Sequence, residues 1–201
     1  MSFKPSEEEE KYFKAEDERR LTALRGEIQA DEETKARWLA LAEVVGSSSH
    51  AVGRRLEELG FNTDTARILF FVPLVEIAWA DGKIGYEESY KLVDELRKRG
   101  IRATTQAYEF LNSITLRRPH ASFFEGCTEV LRELFGTLSA EQRDAHIGEL
   151  TGLADQVARA SRGFFGFGAE VSKEERSTIE DIIKGLGIEH SSQAAQLLRS
   201  L

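Results

Sequence analysis

The sequence predicts an all-α fold of about eight or nine helices. Three observations carry that expectation. Apolar residues recur at three- and four-residue spacing in segment after segment, whereas no stretch alternates convincingly in the two-residue rhythm of a strand. Only three prolines interrupt 201 residues, and glycine marks most of the turns.

The elements follow in chain order. The first twenty residues are dominated by charge, with four consecutive glutamates from Glu7 to Glu10. Such a segment is either a frayed helix or an ordered acidic arm, so the chain divides into an arm (1–20) and a helical domain (21–201). Leu21, Leu24 and Ile28 open the helical rhythm; Trp38, Leu41, Ala42 and Val45 continue it until Gly46-Ser47-Ser48-Ser49 breaks it. Further apolar stripes run through Leu56 and Leu59, through Tyr108, Leu111 and Ile114, and from Val130 to Phe135. Ser139-Ala140-Glu141-Gln142 has the form of a capping box: the Ser hydroxyl and the Gln side chain satisfy each other's free backbone N–H groups. It opens a long helix through Ile147, Leu150, Leu153 and Val157.

Composition excludes several functions. A net charge of −8 opposes phosphate contacts, and Arg54-Arg55, Arg97-Lys98-Arg99 and Arg117-Arg118 are scattered among acids, so no nucleic-acid partner is expected. Cys127 is the single cysteine; it permits neither an intrachain disulfide nor a thiolate cluster, and its apolar neighbours predict a buried structural thiol. The longest apolar run, Ile68 to Val75, contains Pro73 and is far shorter than the roughly 20 residues a bilayer requires. With no signal-like stretch at the start, a cytoplasmic location is expected.

One turn stands out. In Ala80-Asp81-Gly82-Lys83-Ile84-Gly85-Tyr86-Glu87-Glu88, Asp81, Gly82, Ile84 and Glu88 match positions 5, 6, 8 and 12 of an EF-hand loop. Positions 1 and 3 fall on Ile77 and Trp79, which carry no side-chain oxygen. The segment also has a counterpart downstream. Aligned without gaps, Glu87 to Ile101 matches Glu174 to Ile188 at five of fifteen positions: Glu87/Glu174, Glu88/Glu175, Asp94/Asp181, Gly100/Gly187 and Ile101/Ile188. Leu92/Ile179, Leu96/Ile183 and Ile84/Val171 keep the apolar face. These matches predict an internal repeat around residues 74–101 and 153–188, two helix–turn–helix units, the second with a seven-residue insertion.

Glu76-Ile77-Ala78-Trp79-Ala80-Asp81-Gly82-Lys83-Ile84-Gly85-Tyr86-Glu87-Glu88-Ser89 resembles the signature of the TerB-like family, named for a tellurite-resistance protein. The Gly- and Phe-rich stretch from Ser161 to Gly168 is similar to a loop that members of that family often carry. The resemblance extends over Glu76 to about Leu96 and Val157 to Ile188, roughly a quarter of the chain. The resemblance implies an all-helical fold of two related helix groups, acidic residues suspected of metal binding, and a link to tellurite or other stress resistance. In the second unit Ser161 or Gly168 stands where the first has Asp81, so a second metal site is in doubt.

Asp81, Glu87 and Glu88 are therefore the candidate ligands for a divalent cation, Ca²⁺ or Mg²⁺, bound through oxygen. The competing explanation is capping: Gly85 as N-cap puts Glu88 at the third helical position, where its carboxylate satisfies free backbone donors. Capping accounts for both glutamates but not for Asp81 near a helix C-terminus. Arg162, Phe164, Phe165 and Phe167 are candidates for partner binding, although phenylalanines in a loop also serve to clamp it onto a core, and a Gly-rich loop with an Arg can cradle an anion. His50, His120, His146 and His190 lie in separate segments, and no catalytic constellation can be named. The expected function is a non-enzymatic module that binds a divalent cation weakly and works through protein partners in stress resistance. The alternatives are an interaction module whose acidic turns are only caps, and a carboxylate-dependent metalloenzyme that recruits Glu76 or Asp155.

Overall fold

The computed structural model describes residues 7–160 and 171–201, with side chains described from Lys11 onward. It is all-helical: among the described residues there are nine α-helices, one 3₁₀ helix and no strand. No helix among them is long and apolar enough to cross a membrane.

The helices are α1 (Glu7–Val44), α2 (His50–Glu58), α3 (Val72–Ala78), α4 (Tyr86–Lys98), α5 (Gln106–Leu116), α6 (Ala121–Thr137), α7 (Ala140–Ala160), α8 (Lys173–Leu186) and α9 (Ser192–Ser200). The 3₁₀ helix, Ala66–Phe71, leads directly into α3. Pro73 falls in the first turn of α3, where its missing N–H has no intrahelical partner to lose. α3 is apolar nearly all round, which marks a helix enclosed by others. It packs against α4, α6, α7 and α8, and only Glu76 among its residues is not fully buried. Leu74 is completely enclosed, so truncating it to Ala costs about 2–5 kcal/mol.

Around this axis each helix begins and ends for a local reason. Ser49, Thr105, Ser172 and Ser191 accept backbone N–H groups at the starts of α2, α5, α8 and α9. The capping box expected at Ser139 is present in both directions, with Ser139 N–H donating to Gln142 and Gln142 N–H donating to the Ser139 hydroxyl. Arg143 then reaches back to donate to the Phe135 and Leu138 carbonyls, which closes the end of α6. Cys127 is completely buried between these layers, as its neighbours predict.

α1 spans both the acidic segment and the start of the helical domain. One unbroken helix of 38 residues crosses the boundary at residue 20. From Lys11 to Arg37 every residue is exposed except the half-buried Glu16 and Thr34. The helical rhythm of Leu21, Leu24 and Ile28 is therefore not a core face; these residues are 51, 52 and 56% exposed. Only the last turns join the body, where Leu41 and Ala42 are buried. Gly53 of α2 makes this junction possible: a Cβ there would stand 1.8 Å from the Trp38 carbonyl oxygen. Glu57 of α2 accepts from Arg37 Nε and from Trp38 Nε1, both at 2.7 Å.

A candidate cation site at the acidic turn

α3 stops at the motif's first residues, and the Trp79 side chain anchors the stop. Its indole N–H donates 2.9 Å to the buried carbonyl of Ile114 in α5. The chain then turns through Gly82, whose φ of +90° suits a residue without Cβ. Asp81 Oδ1 accepts the Lys83 backbone N–H at 3.1 Å, closing an Asx turn. Its carboxylate thus has a local structural role that capping of α4 does not supply.

Gly85 is the N-cap of α4 and Glu88 its third residue. Gly85 lacks a side chain, so only half of a capping box exists here: Glu88 Oε2 accepts the Gly85 N–H at 2.7 Å. The start of α8 has both halves, with Glu175 Oε2 accepting from Ser172 N–H at 2.8 Å and Ser172 Oγ accepting from Glu175 N–H at 3.1 Å. Glu88 and Glu175 are both 5% exposed. The far ends of α4 and α8 also correspond. The N–H of Ile101 reaches the Leu96 carbonyl at 3.0 Å and that of Ile188 the Ile183 carbonyl at 3.1 Å, after Gly100 and Gly187 with positive φ. Val171 is buried beneath its turn, whereas Ile84 is half-buried against the core.

Electrostatically the turn is one-sided. Burial pushes the Glu88 carboxyl up to about 7; the Gly85 N–H pulls it down, the Asp81 and Glu175 charges push it up further, and among the described residues Lys83 is the cation that opposes them. The structure thus brings Asp81 and Glu88 within electrostatic reach and adds Glu175, while Glu87 is exposed beside them. Among the described residues no three His, Cys, Asp or Glu side chains converge in the manner of a metal cage. Ligation here would need water to complete the shell, as Mg²⁺ and weak Ca²⁺ sites do.

The aligned segments place Glu175 opposite Glu88 in register. Its approach to Glu88 was foreshadowed by their paired positions in the aligned segments, yet alignment says nothing about distance. A second acid, Glu76 on α3, is also raised to about 7, first by burial, with Arg118 opposing and Asp181 and Glu125 reinforcing. The groups acting on Glu76 are different from those acting on Glu88. Asp155 is engaged elsewhere, by Arg159 at 2.7 Å and the Ser200 hydroxyl. The four histidines are exposed and lie in separate places. Arg162, Phe164, Phe165 and Phe167 lie outside the described residues. No protein-family model matches the chain, and no match was found among the curated proteins or the solved structures.

Proposed function

We propose that this chain is a non-enzymatic, TerB-like helical module that acts through a protein partner, with α1 as the docking element. The observation that carries the proposal is the apolar stripe on a projecting helix. Tyr12 and Phe13 are 67 and 60% exposed, and Leu21, Leu24 and Ile28 are each more than half exposed. A solvated face normally carries no such periodic stripe; apolar residues at this spacing suit a partner helix laid along them. Between Glu7 and Lys35 eleven acids oppose six bases, so the complementary partner is a basic amphipathic helix.

A direct test uses an 18-residue Lys/Leu amphipathic peptide, its Glu/Leu counterpart and a Lys/Ser control, titrated by calorimetry. The proposal expects saturable binding of the Lys/Leu peptide alone, abolished by the triple substitution Leu21→Glu, Leu24→Glu, Ile28→Glu. Equal binding of Lys/Ser would reduce the contact to bulk charge. Concentration-dependent dimerisation removed by the same triple substitution would assign the stripe to a second copy.

A second proposal concerns the turn. Asp81, Glu87 and Glu88, joined by Glu175, take up one Ca²⁺ or Mg²⁺ weakly. The support is a nearly enclosed Glu88 faced by two further acids and one Lys. A cation would remove that repulsion. Melting the metal-stripped protein with several millimolar Ca²⁺, Mg²⁺ or Mn²⁺ checks it: wild type should rise by several degrees and Asp81→Asn should not. Identical melting with and without metal would leave the turn as a cap. The internal repeat, supported by matching cap and end hydrogen bonds, and the role in tellurite or other stress resistance, supported by resemblance alone, belong to the same proposal. Tellurite is a dianion, and direct binding to so acidic a turn is not expected.

A further inference from the structure

A separate feature lies where the 3₁₀ helix, the end of α4, α6 and α7 meet. A cleft of about 160 Å³ opens there. Its apolar wall comes from Phe70 and Phe71 of the 3₁₀ helix, Leu131 and Phe135 of α6, and Leu150 and Leu153 of α7. At the mouth the His146 ring lies nearly parallel to two aromatic rings, with centroids 5.9 Å from Phe70 and 6.4 Å from Phe135.

Three charges border the cleft, and two of them cancel. Arg99 donates 2.9 Å to Glu95 and also contacts Glu149, while its guanidinium lies 5.2 Å from the Phe71 ring centre. Arg67 is different. It is exposed, lines the cleft, and its side chain has no ion pair or hydrogen bond among the described residues. An uncommitted guanidinium beside an aromatic-walled hollow is a place for a planar anion carried on an apolar body, since Arg binds carboxylates in a two-pronged fork.

We propose that this cleft binds a small aryl carboxylate, the ring among Phe70, Phe135 and Leu153 and the carboxylate on Arg67. The volume sets the size: a 150 Å³ apolar cavity holds one benzene ring, and this cleft is of that order. Phe70, Phe71 and Phe135 give the cleft aromatic surface, on which a ring stacks better than an alkyl chain. The site is independent of both the α1 stripe and the acidic turn.

The probes are 3-phenylpropionate, its amide and hexanoate, measured by ligand-observed NMR and calorimetry on the full chain. Phenylpropionate is expected to bind saturably at millimolar concentration or below, at least tenfold more tightly than either the amide or hexanoate. Arg67→Gln, a change at an exposed residue, should remove the preference for acid over amide. Leu153→Phe, which places a ring in the hollow, should weaken phenylpropionate and amide together, with circular dichroism verifying that both variants are folded. Absence of saturable binding at ten millimolar, equal affinity for hexanoate, or an unchanged acid-over-amide ratio in Arg67→Gln would each overturn the assignment.

Discussion

Replacing Glu88 with Gln is predicted to stabilise the protein at pH 8 and leave it unchanged near pH 4.5. The reasoning starts from the cap. Gln preserves an acceptor for the Gly85 N–H, whose bond to Glu88 is 2.7 Å long, and removes the charge that Asp81 and Glu175 oppose. The Glu88 carboxyl stands at about 7 in the folded chain against an ordinary 4.5. Below pH 4.5 it is protonated in both folded and unfolded states, and ionisation costs nothing. Between 4.5 and 7 the unfolded chain releases the proton while the folded chain retains it, so stability falls as pH rises; above 7 the full cost remains. At about 1.4 kcal/mol per pH unit the shift corresponds to about 3 kcal/mol, reduced to about 1–2 kcal/mol because water reaches the turn. The favourable hydrogen bond to Gly85 is already contained in that figure. For a chain of this size the gain raises the melting temperature by about 2–8 °C. Thermal melts at 222 nm, wild type against Glu88→Gln at pH 4.5 and pH 8 in a metal-free buffer, measure the difference directly, since every other titrating group is common to both proteins. An equal shift at both pH values, or a less stable variant at pH 8, would refute the reasoning.

Three further outcomes are expected. Glu76→Gln should show the same sign of pH dependence, and its effect should add to that of Glu88→Gln in double-variant melts, because different charges act on the two acids. Gly53→Ala should destabilise by about 3 kcal/mol or more, or displace α1, because its Cβ would meet the Trp38 backbone, whereas Gly26→Ala in open space on α1 should stabilise by up to about 1 kcal/mol; urea denaturation compares them. Cys127, completely buried with its thiol pushed well up by burial and by the Glu76 charge, should resist a thiol reagent until the chain unfolds, and rapid labelling in native buffer would contradict this.

The helices were legible in the sequence because their signals are local. Capping boxes at Ser139 and Ser172, a left-handed glycine after α8, and apolar spacing all act within one or two turns, and the chain forms helices where they say. The fate of Leu21, Leu24 and Ile28 was not legible. Spacing identifies an apolar face but not what lies against it, and here no other part of the described chain covers it. The acidic turn was half legible. Gly85 and Glu88 take the expected cap positions, while the influence of Glu175 on Glu88 depends on where the tertiary fold brings the start of α8. The cleft was invisible for the same reason: Arg67, Phe135 and Leu153 are 86 residues apart from first to last, and only tertiary packing gathers them.

The notch at Gly53 also gives the molecule a mechanical character. Where Trp38 crosses it, backbone meets backbone with no side chain to yield, and Glu57 ties down two consecutive residues of α1. The helix beyond that clamp extends about 45 Å from Glu7 to Arg37, at 1.5 Å per residue. It is a lever with a short, stiff fulcrum. Force applied at its tip is delivered as torque to α2, which Arg55 pins to Glu129 and Glu133 of α6.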